Sequence, residues 1–422
     1  MNKPIRTISI FCLLLFVALM LNATYLQFWQ ADSLDDDPRN RRVIEAAYSR
    51  ERGAILVGRD PIAESVPSDD RFEFQRTYPT PFRYAPITGY FSYFSQTGLE
   101  QSQNQVLSGE DPRLFVTKLV DLLSNDPNKG GSVQLTIDAD AQEAAYDGLD
   151  ALPGAVEGSV VALDPASGKI LAMVSLPTYD PNKLASHDLD EVSDTYDRLV
   201  AEESEPLLNR AIQKTLPPGS TFKLVTAAAA IESGAYSGTD QVPAGRVYDV
   251  PQTTSDIGND GRTQCDPDRI SFATAMAWSC NTTFAALANE VGAEAMLEQA
   301  EAFGFNSDYL EDLRPQAVSA FPEDANAPET AQTGIGQFEV ASTPLQMAMV
   351  VAGIANAGVV MRPYIVDEVR SPELDVLDKT DPEELSQAVS PETADVLTDL
   401  MVYTVSQGTA APATIPGVDV AG

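Results

Sequence analysis

Histidine is nearly absent from this chain: of 422 residues, only His187 is one. A Ser-His-Asp triad would have to rest on that single imidazole. It lies in the largely polar stretch Leu184 to Glu191 and reads as a surface residue. The same count excludes a multi-histidine zinc site. Cysteine is almost as scarce, with Cys12, Cys265 and Cys280 too far apart for a metal ribbon, so neither a metal nor another cofactor is expected. Basic residues are also short, 27 Lys and Arg against 62 Asp and Glu, for a net charge of −35. Such a surface repels the phosphate backbone, which excludes nucleic acid as a partner, and it suits a salty or extracellular medium.

One long apolar run is present. Ile8 to Trp29 is broken only by Ser9, Asn22, Thr24 and Gln27, and about 20 such residues span a bilayer as helix. Tyr25, Phe28 and Trp29 resemble an aromatic interface belt more than a cleavage site, which favours an uncleaved signal-anchor over a secretory signal. Lys3 and Arg6 precede the run, while Arg39, Arg41 and Arg42 follow it, so basic residues alone leave the orientation open. The short N-terminal tail and the acidic run Asp35 to Asp37 place the chain after Trp29 outside a single-pass cell membrane span. In that oxidising space Cys265 and Cys280 are expected to pair, closing a loop of about 15 residues worth about 3 kcal/mol. The alternative is two inert buried thiols. Cys12 stays unpaired in the membrane.

Residues 30 to about 128 mix short apolar stretches with Pro, Gly and aromatics and predict a small, irregular, β-rich module. Ser124 to Gly131 holds turn formers and no apolar residue, which marks a linker or exposed turn. Beyond it, Gly158 to Asp164 and Lys169 to Ser175 flank Pro165-Ala166-Ser167-Gly168 and read as a β-hairpin. Ala-rich helical patterns then dominate at Phe222 to Ile231, Phe272 to Trp278, Phe284 to Val291 and Pro344 to Ala357. Strands followed by many helices predict an α+β domain, helices packed on an antiparallel sheet. The expected division is 1–29 for tail and anchor, 30–150 for the N-terminal module and linker, and 151–422 for the main domain.

Pro217-Pro218-Gly219 places Ser220 at or near a helix start, with Lys223 one turn on along the same face. Free N–H groups and the positive dipole end favour the anion that a carbonyl becomes under attack. A neutral lysine can deprotonate a serine without histidine, provided burial or a nearby cation lowers its pKa. Leu224 to Ile231 is nearly all small or apolar, as a buried helix requires. A capping serine and a snorkelling lysine would look the same. Trp278 to Thr282 interrupts two helical stretches and projects Ser279 and Asn281. Such a turn offers a hydroxyl for proton relay and a carboxamide for a substrate amide, or simply a helix cap.

These segments together resemble the transpeptidase module of class B penicillin-binding proteins, above all the short actinobacterial forms. Ser220-Thr221-Phe222-Lys223 is similar to the first motif of that family and Ser279-Cys280-Asn281 to the second. Arg52 to Ile55, Gly98 to Glu100, Leu107 to Gly109, Leu135 to Asp138, Tyr179 to Asn182, Thr333 to Gln337 and Thr343 to Gln346 also resemble family segments. Gly334 to Gln337 is expected to be a tight turn rather than a phosphate loop.

The resemblance implies a penicillin-binding, serine β-lactamase-like fold with helices on both faces of the sheet, the small module in front and the anchor before that. It implies a peptidoglycan D,D-transpeptidase, with Ser220, Lys223 and Ser279 catalytic and Asn281 binding substrate. The implied partners are stem peptides ending in D-Ala-D-Ala, β-lactams, and cell-division or elongation proteins. A β-lactamase or β-lactam sensor shares the first two motifs, though the extra module and span weigh against it, and a non-catalytic division scaffold is the third reading. The third family motif, Lys-Thr-Gly or Lys-Ser-Gly, does not occur in the sequence, whose last residues Val418 to Gly422 resemble the segment that precedes it. These 422 residues by themselves are therefore expected to be unstable or inactive, and a full-length parent to be acylated.

Overall fold

The computed structural model describes residues 2–28, 30, 45, 48–114 and 129–422. Trp29, the acidic run 35–37 and most of the expected linker, 124–128, lie outside the described residues. Helix α1, Asn2–Phe28, carries the apolar stretch Pro4–Leu26, long enough and apolar enough to cross a membrane and unburied among the described residues.

Three short strands of the N-terminal module follow: β1 (Ile55–Val57), β2 (Asp60–Pro67) and β3 (Phe74–Thr77). They do not form a sheet of their own. β1 pairs in parallel with β4 (Ser132–Leu135), and β4 pairs antiparallel with a strand from far down the chain, Val366–Arg370, which in turn pairs with Val376–Lys379. One mixed six-stranded sheet thus joins residues on both sides of position 150. The antiparallel expectation holds for every pair in it except β1 with β4, where the return from 57 to 132 runs through helices α2 (Pro81–Thr88) and α3 (Gly98–Ser102). A crossover of that length permits parallel strands.

The expected hairpin is present as β5 (Gly158–Leu163) and β6 (Ile170–Leu176), in register from Gly158 opposite Leu176 to Leu163 opposite Ile170. Its β6 side is tied to the main sheet: Ile170 N–H donates to Tyr364 O, and the buried Thr136 hydroxyl donates to Ile170 O. Helix α4 (Ala139–Asp150), capped by Asp138, packs along β6. No strand pairs with the outer edge of β5 among the described residues.

The main hydrophobic core among the described residues runs from Ile55 and Val133 in the sheet to Phe222, Phe284, Met349 and Leu397 in the helices. At its centre is α5, Lys223–Glu232, whose four consecutive alanines, 227–230, are all buried. Small side chains let the neighbouring helices approach closely, so packing density is kept without bulky residues.

One buried charge network joins the module internally. Glu100, fully buried, accepts from Arg52 Nε and Arg76 Nε at 2.6 Å each and from the Tyr78 hydroxyl at 3.1 Å. Arg52 and Glu100 belong to the segments 52–55 and 98–100 that resemble family segments. His187 departs from expectation. Its side chain is only 12% exposed, bonded to Asp70 and lying 4.9 Å from the Phe72 ring, because the 184–188 loop folds onto the aromatic cluster of the N-terminal module.

Candidate active site

The chain enters the site through Pro217 and Pro218, makes a 3-10 turn over Gly219–Phe222, and continues directly into α5. Gly219 has φ +56°, a conformation that opens this turn without a Cβ penalty. Ser220 is exposed on the turn, and its carbonyl accepts the Lys223 N–H, so serine and lysine stand one turn apart. Lys223 points the other way in terms of solvent: it is 1% exposed.

The Lys223 ammonium spends its three donors on one motif. Nζ donates to Ser279 O at 2.8 Å, to Ser279 Oγ at 2.9 Å and to Asn281 Oδ1 at 2.6 Å. Two helices make this geometry. α6, Phe272–Ala277, ends just before Ser279, and α7, Asn281–Val291, starts just after Cys280. Ser279 itself has φ +52°, a left-handed conformation that costs a non-glycine residue on the order of 1 kcal/mol. That conformation lets the carbonyl and hydroxyl of one residue both face the same amine. Behind the amine is the buried Phe284 ring, 5.6 Å from Nζ.

Burial is the largest influence on Lys223 and, with the nearby Arg262 cation, brings its pKa down to about 7, against the opposing pull of Asp260. Asp260 and Arg262 were not singled out by sequence reading. They belong to the loop after the small hairpin Val247–Asp249 and Asp256–Gly258, a stretch of Asn, Asp and Gly that resembles any surface turn. Three fastenings bring it back to the site. Cys265 is bonded to Cys280, the residue between Ser279 and Asn281, so the expected disulfide is present and the two-thiol alternative is not. Asn259 donates to Gly245 O and accepts from Thr282 N–H, both within 3.0 Å. Asn281 Nδ2 donates to Gly258 O at 3.1 Å and to Asp260 Oδ2 at 3.3 Å. The Asn281 amide is thereby fixed at both ends, oxygen on Lys223 and nitrogen on the loop.

Gly334 to Gln337 is a tight turn, at the end of helix Ala327–Thr333, and it packs on the serine turn. Gly219 N–H donates to Gly336 O at 3.0 Å, and Thr226 Oγ1 donates to Gly334 O at 2.9 Å. A Cβ on Gly336 would lie 2.2 Å from Gly219 O, so only glycine allows this approach. Among the described residues no group of three or more His, Cys, Asp or Glu is placed to hold a metal ion.

The penicillin binding protein transpeptidase domain matches residues 158–422, and the penicillin binding protein A dimerisation domain matches residues 52–133. Over its whole length the chain is 43% identical to the peptidoglycan D,D-transpeptidase PbpA of Mycolicibacterium smegmatis and 42% identical to the PbpA of Mycobacterium tuberculosis, covering 86% of each. The fold superposes on the structure of penicillin-binding protein A from M. tuberculosis in its ceftriaxone acyl-enzyme complex with a TM-score of 0.85, at 40% identity, over 89% of this chain and 85% of that one. The D,D-transpeptidase domain of a peptidoglycan glycosyltransferase from Eggerthella lenta gives 0.76 at 30% identity, over 89% and 86% of the two chains. With a domain match over more than half its length and relatives above 40% identity from end to end, the chain belongs to the penicillin-binding protein transpeptidase family.

Proposed function

We propose that this protein is a membrane-anchored peptidoglycan D,D-transpeptidase working through an acyl-enzyme on Ser220, with β-lactams as substrate mimics. The observation that carries the reading is the buried Lys223 amine, triply held by Ser279 and Asn281, one turn from an exposed serine at a helix start.

With its pKa near 7, Lys223 is about half neutral at neutral pH. A neutral amine has two hydrogens and a lone pair. The hydrogens stay on Ser279 O and Asn281 Oδ1, so the lone pair faces Ser279 Oγ; it takes the Ser279 hydroxyl proton while Ser279 Oγ takes that of Ser220, whose Oγ bonds to the penultimate D-Ala carbonyl carbon. The charge that collects on the carbonyl oxygen faces the free N–H groups at the start of the helix. When the bond to the terminal D-Ala breaks, its amine must gain a proton. Ser279 Oγ, already on Nζ, passes it from Lys223, and an acceptor amine then reverses the sequence to form the cross-link. Asn281 holds the donor peptide amide and keeps Nζ in place.

We assign residues 1–29 to the cytoplasmic tail and anchor, 30–150 to the non-catalytic module and linker, and 151–422 to the transpeptidase domain, on the outer face of the cytoplasmic membrane. The module is then the surface offered to elongation or division proteins. Full-length protein given a donor peptide ending in D-Ala-D-Ala and an acceptor amine should release one D-Ala per new amide bond. Rapid hydrolysis of penicillin without peptide transfer would mark a β-lactamase instead and overturn this reading.

A further inference from the structure

The segment fastened to the serine turn carries an exposed aromatic residue, Phe338, that the reaction above leaves unused. The segments on either side of the site run antiparallel, with Leu216 and Ser342 exchanging N–H···O bonds at 2.9 Å and Gly219 N–H bonded to Gly336 O at 3.0 Å. Between those two fastenings lie only Pro217 and Pro218 on one side, but residues 337–341 on the other. The longer side must bulge. At its crest Gln337, Phe338 and Glu339 are all exposed, and Phe338 is 40% exposed with φ +63°.

A bulky residue in the left-handed region is a true outlier, since glycine or asparagine would fit there without strain. The ring is exposed as well, so burial does not offset the strain. The bulge is anchored through Gly336 to Gly219, the residue directly before Ser220, and Phe338 lies two residues beyond that anchor. Leu216, 53% exposed, is a second bare apolar side chain four residues before the serine. Strained and exposed groups persist where function holds them, and a ligand that covers the ring would recover the apolar surface.

We infer that Phe338 is a specificity-determining residue, an apolar wall that stacks against an aryl or other apolar side chain on the acyl portion of the ligand bound at Ser220. This rests on the acyl-enzyme reading above. The test compares penicillin G, which carries a phenylacetyl group, with 6-aminopenicillanic acid, which has the same ring system and no acyl side chain. Full-length wild-type protein and the variants Phe338→Gly and Phe338→Leu are compared by second-order acylation rate, together with thermal unfolding.

Phe338→Gly should acylate about five- to tenfold more slowly with penicillin G, the scale of an aromatic contact, and less than about twofold more slowly with 6-aminopenicillanic acid. Phe338→Leu should fall between. Glycine fits the left-handed backbone, so the Phe338→Gly variant should unfold at the same or a higher temperature. Equal rates for wild type and variant with penicillin G would overturn the proposal. So would equal slowing with both compounds accompanied by a lower unfolding temperature, which marks a structural role. Absence of acylation in the wild type would instead overturn the acyl-enzyme reading, and this inference with it.

Discussion

Replacing Arg262 with alanine should shift the pH dependence of acylation upward. In the proposed mechanism Lys223 is a base only when neutral, so the rate should climb as pH rises through its pKa, about 7 in the intact site. Burial is the main depressing influence and is untouched by the substitution, while Arg262 is the cationic one. Arg262 lies on the far side of Asp260, its Nη1 being 3.3 Å from Asp260 Oδ2, which itself bonds Asn281. Taking about 8 Å from Nζ and water-like screening at this partly exposed edge, the lost repulsion is about 0.5 kcal/mol, or ~0.4 pH unit. Asp260, freed of its partner, adds in the same direction. At pH 7 the neutral fraction falls from about one half to about 0.3, and the rate with it, with full recovery in more alkaline buffer. The converse change, Asp260→Asn, removes the anion that favours the charged amine and should move the midpoint downward. Stopped-flow acylation by a fluorescent penicillin across neutral pH reads both shifts. Shifts of the same sign, or a rate loss in Arg262→Ala that alkaline pH does not restore, would refute electrostatic tuning of Lys223 by this loop.

Alkylation of the folded, unreduced protein should label Cys12 alone, and joint replacement of Cys265 and Cys280 by alanine should cost about 3 kcal/mol in chemical denaturation, the entropy of a loop of that length. Glu100→Ala should destabilise by about 3–5 kcal/mol, because it leaves Arg52 and Arg76 buried without a counter-charge. Burial alone would raise the Glu100 pKa, but Arg76 and Arg52 outweigh it and hold the group below the usual carboxylate range. Its contribution is therefore fully present above the unfolded value and is lost as pH falls through the depressed folded one, so the destabilisation of Glu100→Ala should shrink in strong acid.

The parts of this molecule legible in sequence are those whose geometry is local. Ser220 and Lys223 share one turn, Ser279 and Asn281 share one helix break, the hairpin 158–176 carries its own turn, and α1 needs only a long, nearly unbroken apolar run. Asp260 and Arg262 were invisible because nothing near them in sequence differs from a solvated turn. Their place depends on a disulfide to Cys280 and on the Asn259 clamp, both of which act across the chain. The strands β1 and β4 and the strand 366–370 are three to five residues each, too short for an alternating pattern to declare their partners. A sheet assembled from both ends of the chain followed only from three dimensions. His187 differs from its surface reading for a related reason: its polar neighbours in sequence are not its neighbours in space, where Phe72 and Tyr48 lie against it.

The central claim, that Ser220 is the nucleophile primed by Lys223, is tested most directly by intact mass and peptide mapping of full-length protein after brief exposure to penicillin G. One adduct per chain on the peptide containing Ser220 is predicted, with none in Ser220→Ala and a rate lowered by orders of magnitude in Lys223→Ala. An adduct that persists in Ser220→Ala, or one that maps to another residue, would contradict it.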